Sequence, residues 1–213
     1  RYAEAEPLYK KSLAVREKAY GPEHLEVAGS LNNLATLYVT LDRYEEAEPL
    51  HKRALAIKEK LLGPEHADVA ASLNNLALVY KYQGRFTEAE PLLQRSLAIR
   101  EKVLGPHHPD VAAGLHNLAL LRDAQGRPAE AEPLVDRAVQ ILERSRVDPS
   151  FQYLCYRFRA KLAWKAGHKA EAIADLRRAM EAAEFQRAHG AGAERERAEL
   201  FAGFSGAFEQ MVA

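Results

Sequence analysis

The sequence predicts an all-α solenoid of about ten antiparallel helices, and three recurring motifs carry that prediction. Gly-Pro-Glu-His begins at residues 21 and 63 and returns as Gly-Pro-His-His at 105, so the interval is constant (63 − 21 = 42 and 105 − 63 = 42). Leu-Asn-Asn-Leu-Ala begins at 31 and 73, and Glu-Ala-Glu-Pro-Leu occurs four times. A fixed period of this size indicates supersecondary units that bury their apolar faces by stacking on one another.

Each full repeat is predicted to form two helices. In the first repeat, apolar residues recur at the spacing of one helical face in two successive segments. They are Leu31, Leu34, Ala35 and Tyr38 in the first segment, and Ala47, Leu50, Ala54, Ile57 and Leu61 in the second. Gly63 and Pro64 then end the second helix, because glycine accepts a left-handed turn and proline cannot continue the hydrogen-bond ladder. His24, His66 and His108 mark the start of the following first helix.

Applied along the chain, the period predicts six segments. The first segment, residues 1–20, is the second helix of a truncated repeat. Three full repeats follow: repeat 1 at 21–62, repeat 2 at 63–104 and repeat 3 at 105–147. A degenerate repeat 4 spans 148–189, and a terminal capping helix spans 190–213. The chain opens in the middle of a repeat, since Arg1-Tyr2 matches Arg43-Tyr44. We therefore expect a fragment of a longer protein.

The first helix of repeat 4 has two candidate buried faces. If Gly167 is aligned with the turn glycine of repeat 3, Gly126, then Tyr156, Ala160 and Ala163 face inward. A stronger apolar stripe is formed by Phe151, Leu154, Cys155, Phe158 and Leu162. We expect both faces to be partly covered. In the last segment, Leu200, Phe201, Phe204, Phe208 and Met211 predict a helix that covers repeat 4, and an apolar surface left at that end would favour a homodimer.

Composition argues against several classes of function. Lysine and arginine total 30, as do aspartate and glutamate, so no net charge draws the chain to nucleic acid or to a membrane surface. No apolar run approaches the ~18 residues that suggest a membrane-spanning helix. A single cysteine, Cys155, excludes an internal disulfide and fits a reducing compartment, for which we expect the cytoplasm.

The second repeat resembles the tetratricopeptide repeat (TPR). Leu73, Leu76, Ala77 and Tyr80 match the signature of its first helix, and Ala89, Leu93 and Ser96 match that of its second. The long unit, with its GPEHxxVAxSLNNLA and EAEPL elements, is similar to the repeats of kinesin light chains and their bacterial relatives. The resemblance implies a right-handed α-α superhelix, a TPR solenoid, that binds a protein or peptide segment in its concave groove without catalysis and without a cofactor.

The groove is predicted on the face of each first helix opposite its buried stripe. At about 100° per residue this face holds Asn33, Asn75 and Asn117, and the resemblance implies that these asparagines contact the bound peptide. Further groove residues are Asn32, Asn74 and His116 at the shoulder, Leu78, Tyr82 and Leu120 as side-chain pockets, and Lys81 and Asp123 farther along. Two alternatives remain open: the asparagines form hydrogen bonds between adjacent helices, or they persist through duplication alone.

Repeat 4 offers a second candidate site. Arg157, Lys161, Trp164 and Lys165 form a basic, aromatic patch that would suit an acidic ligand through charge-assisted hydrogen bonds. A solvated face, on which the long side chains cover apolar surface with their stems, is the simpler interpretation.

No catalytic or metal site is expected. The repeated histidines lie on successive repeats, and the adjacent side chains of His107 and His108 diverge, which does not suit a metal ion. Cys155 has apolar helical neighbours and is expected to be a buried small residue. Glu46 and Glu48 are two residues apart on a helix, so their carboxylates do not face one another as a catalytic pair would.

The final segment carries a second, shorter resemblance. Residues 196–204, Glu-Arg-Ala-Glu-Leu-Phe-Ala-Gly-Phe, are similar to the segment that precedes the caspase-like (CHAT) domain in bacterial TPR proteins. This resemblance implies a regulatory sensor arm whose catalytic His and Cys would lie outside this chain. An oligomerisation module is a further alternative function.

Overall fold

The computed structural model describes the backbone of residues 2–145 and 149–189 and the side chains of residues 5–145 and 151–185. Nine α-helices and no strand occur in this described part. In chain order they are α1 (Tyr2–Tyr20), α2 (Leu25–Thr40), α3 (Tyr44–Leu62), α4 (Ala67–Tyr82), α5 (Phe86–Leu104), α6 (Pro109–Ala124), α7 (Pro128–Arg144), α8 (Pro149–Lys165) and α9 (Lys169–His189). The tenth predicted helix, within 190–213, and the CHAT-like stretch 196–204 lie outside the described residues.

The chain forms two compact units. Unit 1 spans Arg1–Arg127 and contains α1 to α6, and unit 2 spans Pro128–Ala213 and contains α7 to α9. The division follows the first helix of the predicted third repeat, 105–147. The predicted helices that fall within the described residues are present, and each unit is described by itself below.

Helices of two lengths alternate in unit 1. The first helices of the predicted repeats, α2, α4 and α6, each have 16 residues, and the second helices, α1, α3 and α5, each have 19. Gly63 and Gly105 follow α3 and α5 with φ angles of 87° and 89°. These angles lie in the left-handed region that residues with a side chain rarely adopt, which explains why the sequence repeats glycine here.

The repeated histidines begin the first helices. The Nδ1 atoms of His24, His66 and His108 accept hydrogen bonds from the backbone N–H groups of Glu26, Asp68 and Asp110 at 3.2, 3.1 and 3.1 Å. Each bond satisfies a donor that the helix itself leaves unpaired. The histidines therefore act as N-terminal caps, which agrees with the prediction that they mark helix starts.

Small and aliphatic side chains fill the core of unit 1. Leu31, Leu73 and Leu115 occupy equivalent positions on the three first helices and are at most 1% exposed. Alanines at tightly packed positions, including Ala54 and Ala89, are fully buried. On the opposite face of each first helix, the predicted groove asparagines Asn33, Asn75 and Asn117 are exposed or half-buried.

Helix α8 of unit 2 buries both of its candidate faces. Tyr156, Ala160 and Ala163 are buried, and so are Cys155, Phe158 and Leu162 from the competing stripe, whereas Phe151 is half-buried and Leu154 is 40% exposed. Ala160 and Ala163 pack with Ala172 and Leu176 of α9. Both predicted faces are thus covered, as expected, because this helix is apolar on two sides.

Candidate functional site

The predicted groove positions lie on the accessible side of the first helices in unit 1. We call this set the first-helix face. It comprises Asn33, Thr36 and Thr40 of α2, Asn75, Leu78 and Tyr82 of α4, and Asn117, Leu120 and Ala124 of α6. All are exposed or half-buried, whereas the leucines on the opposite side of the same helices are buried. The helical periodicity alone therefore separated the open face from the core.

Asparagine pairs join neighbouring first helices. The Nδ2 atom of Asn75 donates to Oδ1 of Asn32 at 2.9 Å, and the Nδ2 atom of Asn117 donates to Oδ1 of Asn74 at 2.8 Å. These bonds place α2, α4 and α6 side by side. Inter-helix bonding, one of the alternatives drawn from the sequence, is therefore what Asn75 and Asn117 do in this structure.

The shoulder residues differ in how open they are. Asn74 and His116 are buried, at 8% and 6% exposed, while Asn32 is half-buried. Asn33 is exposed. The accessible amides of this set are consequently those of Asn33, Asn75 and Asn117 rather than that of Asn74.

Tyrosine side chains mark one end of the first-helix face. Tyr82 is 51% exposed, and its ring stacks on the ring of Tyr44 with a centroid distance of 5.4 Å and an interplanar angle of 16°. The Nζ atom of Lys81 lies 5.1 Å from the Tyr82 ring centroid. Tyr44 donates a 2.5 Å hydrogen bond to Oδ1 of Asp42, and this bond raises the pKa of Tyr44 to about 12. Sequence reasoning missed Tyr44, although its alignment with Phe86 already indicated an aromatic position.

Charged side chains instead join the second helices. The repeated pairs are Arg43 with Glu6 at 2.6 Å, Arg85 with Glu48 at 2.6 Å and Arg127 with Glu90 at 3.5 Å. Although burial of the carboxylate opposes ionisation, hydrogen bonds from Lys52 and Arg85 lower the pKa of Glu48 to about 2. Glu46 bonds to Arg43 instead. Glu46 and Glu48 are therefore parts of separate ion pairs and not a catalytic pair.

The basic patch of repeat 4 forms an exposed row along α8. Arg157, Lys161 and Lys165 follow one another at four-residue spacing and are exposed, and Trp164 is half-buried. Arg157 lies 5.5 Å from the ring centroid of Tyr153, and Lys161 lies 5.8 Å from that of Phe158. The cations therefore extend over aromatic rings of their own helix, as side chains on a solvated face commonly do.

An ionic cluster in unit 2 escaped the sequence analysis. Arg159 forms two parallel bonds to the carboxylate of Asp175, at 2.7 and 2.6 Å, and a third to Asp136 at 3.2 Å. Asp175 is 5% exposed. A two-point bond of this kind pairs the buried carboxylate of Asp175 with the half-buried guanidinium of Arg159, so the cluster has a structural explanation.

Neither a reactive thiol nor a metal centre emerges from the described residues. Cys155 is fully buried, and burial raises the pKa of its thiol to about 12, which disfavours the nucleophilic thiolate. No group of three or more His, Cys, Asp or Glu side chains in the described ranges is placed to hold a metal ion. Within those ranges, no helix has the length and apolar character needed to cross a bilayer.

A family model of the tetratricopeptide repeat matches this sequence three times in overlapping windows, at residues 1–60, 31–102 and 68–144. A search of the curated proteins found no match. The windows together take in both helix layers of unit 1 and the asparagine pairs that join them.

Solved structures with similar folds include three informative examples. BtubC (BKLC) from P. vanneervenii aligns with a TM-score of 0.75 at 23% identity, over 91% of this chain and 77% of that one. A point variant of a kinesin light chain candidate from Podosopora anserina, with nearly identical TPR-like repeats, aligns with a TM-score of 0.70 at 29% identity, over 87% and 89%. MamA aligns with a TM-score of 0.59 at 18% identity, over 88% and 92%, and this likeness concerns the fold alone.

Proposed function

This chain belongs to the tetratricopeptide repeat family, and we propose that it is a non-catalytic scaffold that binds a peptide or protein segment along the first-helix face. The fold is an all-α TPR solenoid, an architecture used for protein interactions. The observation that carries the proposal is the row of amides on three adjacent helices. On this side of unit 1, Asn33 is exposed, and Asn75 and Asn117 are half-buried.

The asparagine bonds support this proposal by fixing the amides in advance. A carboxamide has two N–H donors and two lone pairs on its oxygen. The bond from Asn75 to Asn32 uses one donor and sets the orientation of the group. The oxygen of Asn75 can then accept from a peptide N–H without first losing side-chain freedom, which lowers the entropic cost of binding.

Selection of peptides on the full chain tests the proposal. A library of random 12-residue peptides is displayed, enriched on the immobilised protein and sequenced, and the dissociation constant of an enriched peptide is measured by fluorescence polarisation. We expect Asn33→Ala, whose side chain is exposed, to weaken binding at least about fivefold, the effect of losing one net hydrogen bond of about 1 kcal/mol. The control is Thr87→Ala, an exposed position on α5 of the other layer. Equal binding by both variants would place the ligand elsewhere.

The row of cations on α8 gives a second candidate site, for an acidic segment. Arg157, Lys161 and Lys165 present three positive charges at successive helical turns. We expect a double substitution, Lys161→Ala with Lys165→Ala, to abolish capture of an acidic 12-residue peptide. Retained capture by that variant would exclude the row as a site and leave it as a solvated face.

A regulatory role next to a protease domain is an alternative proposal. It rests on the resemblance of residues 196–204, outside the described part, to segments that precede caspase-like domains. Sequencing the natural gene downstream of the codon for Ala213 tests it, because the alternative requires a His and a Cys in an α/β pattern there. The second alternative, an oligomerisation module or homodimer, predicts a molecular mass by light scattering that rises with concentration. For the location we propose the bacterial cytoplasm, in keeping with the single buried cysteine.

A further inference from the structure

The middle turns of all three first helices in unit 1 lack charged residues. Residues 27–40, 69–80 and 111–121 contain no Asp, Glu, Lys or Arg, although these four types make up 28% of the chain. The one histidine among them, His116, is buried at 6% exposed. Charged residues occur in these helices only near their ends, for example Asp68 and Lys81 of α4.

Unit 1 does contain charged residues, but many of them lie on its second helices. The second helix α3 alone includes Glu48, Lys52 and Arg53, and each of them forms an ion pair. These pairs connect α3 to its own turns and to the neighbouring repeats. The uncharged stretches therefore belong to the layer of first helices, which also carries the groove amides.

The accessible groups on the first-helix face are of three uncharged kinds. Hydroxyls come from Thr36 and Thr40, amides from the asparagines, and apolar surface from Leu78, Leu120 and the ring of Tyr82. Lys81 and Asp123, the charged groove candidates, lie in the last turns of α4 and α6. A charged ligand group held against the middle turns would therefore lose water without gaining a counter-charge. Such uncompensated burial of a charge is strongly unfavourable.

We infer that the segment bound by the first-helix face is an extended peptide stretch without charged side chains, an inference that rests on the proposed peptide-binding function. Its backbone amides bond to Asn33, Asn75 and Asn117, and its aliphatic, hydroxyl or amide side chains pack on Leu78 and Leu120. Neighbouring packed helices are ~8–10 Å apart, so α2 to α6 spans ~16–20 Å. An extended chain rises ~3.3 Å per residue, which makes the uncharged stretch about five or six residues long.

The composition of selected peptides tests this inference. Random 12-residue peptides enriched on the full chain should share an uncharged core of about five or six residues. Their dissociation constants should change less than about twofold between 50 and 500 mM NaCl, because salt screens charge pairs and leaves neutral contacts nearly untouched.

A charge placed on the face supplies the matched comparison. Thr36→Glu, on α2, should shift the enriched peptides towards Lys and Arg, whereas Thr87→Glu, on α5, should not. The inference would be wrong if acidic or basic peptides bind the unmodified chain, lose affinity in salt and bind the Asn33→Ala variant more weakly. The proposed peptide-binding function would still stand in that case. If no enriched peptide responds to either Asn33→Ala or Thr36→Glu, the proposed function itself is contradicted, and this inference with it.

Discussion

Asn75 donates its amide to Asn32 on the preceding first helix, while its neighbour Asn74 accepts the amide of Asn117 from the following one. The two residues of one Asn-Asn pair therefore serve two different neighbours. Successive residues on a helix are about 100° apart, so they can reach in opposite directions along the row. This relationship gives a physical reason for repeating asparagine twice rather than once.

We predict that Asn75→Ala destabilises the protein and that Asn33→Ala does not. Asn75→Ala removes the 2.9 Å bond to Asn32 and should lower the free energy of unfolding by about 1 kcal/mol. Asn33 is exposed, so its substitution should change that energy by less than about 0.5 kcal/mol. Urea unfolding followed by circular dichroism measures both. Equal stability of the two variants would show that the asparagine bond contributes nothing net.

His51 is predicted to destabilise the core of unit 1. It is 2% exposed, and its Nδ1 atom finds no hydrogen-bond partner among the described residues. The equivalent position one repeat later holds Leu93, which is 1% exposed. We expect His51→Leu to raise the free energy of unfolding by about 1–3 kcal/mol, the cost of leaving a buried polar atom unpaired. A loss of stability would instead reveal a partner for that nitrogen.

Stability should also depend on pH through His51. Burial, with a smaller effect from the positive charge of Lys58, lowers the pKa of His51 from 6.5 to about 4. Above pH 6.5 both the folded and the unfolded state carry a neutral ring, and the group has no effect. As the pH falls from 6.5 to 4, only the unfolded state gains the proton, so about 3 kcal/mol of stability is lost. Subtracting the urea-unfolding profile of His51→Leu isolates this loss from the titration of the carboxylates.

Glu48 is predicted to matter more than its neighbour Glu46. The Glu48 side chain is 16% exposed and accepts from Arg85 and Lys52, both at 2.6 Å. We expect Glu48→Gln to cost about 1–3 kcal/mol at pH 7, and Glu46→Gln, whose side chain is 51% exposed, to cost under about 0.5 kcal/mol. Because the folded pKa of Glu48 is lowered to about 2, its contribution is present above pH 4.5 and is lost as the pH falls towards 2. A difference between the variants that persists at pH 2 contradicts this assignment.

Gly114 should tolerate serine with a gain in stability. The equivalent positions in the earlier repeats hold Ser30 and Ser72, which bond to Arg16 at 2.7 Å and Lys58 at 3.0 Å. A Cβ at Gly114 would lie 3.2 Å from Cδ1 of Leu97, the movable end of a side chain.

Leu55, the counterpart of Leu97, packs against Val69, Ala70 and Leu73 of the helix that carries Ser72, so we expect Leu97 to accommodate a serine in the same way. Gly114→Ser should add about 0.5 kcal/mol, since glycine is costly inside a helix. Gly114→Val serves as the control, because its branched side chain adds bulk against Leu97. A melting temperature lowered equally by both substitutions would show that Leu97 cannot move.

The sequence was informative wherever the same local pattern recurs in several repeats. Helix ends at Gly63 and Gly105, helix starts at the histidines and the open side of the first helices follow from local rules of helix geometry. The hydrogen-bond partners of the asparagine amides did not follow from these local rules. Whether Asn75 meets a ligand or Asn32 depends on how neighbouring helices are rotated, and one helix's periodicity holds no information about that rotation.

Features that occur once were harder to predict. The Tyr44–Tyr82 stack joins two different helices, and the equivalent residues in the next repeat, Phe86 and Ala124, cannot form it. The pair of Arg159 with Asp175 lies in the degenerate repeat, where no second copy points to it. Contacts without a periodic counterpart need the three-dimensional arrangement to become visible.

The repeated ion pairs of unit 1 have a consequence for how such chains change length. Glu6 meets Arg43, and Glu48 meets Arg85, through the same residues at the same separation. If residues 63–104 were excised, Arg127 would arrive opposite Glu48, and Asn117 opposite Asn32. The ion pair and the asparagine bond would both be restored at the new junction, whereas the stack of Tyr44 would be lost because Ala124 takes the place of Tyr82. Loss or gain of one whole 42-residue unit therefore preserves these two polar contacts, which allows such arrays to change length by whole units.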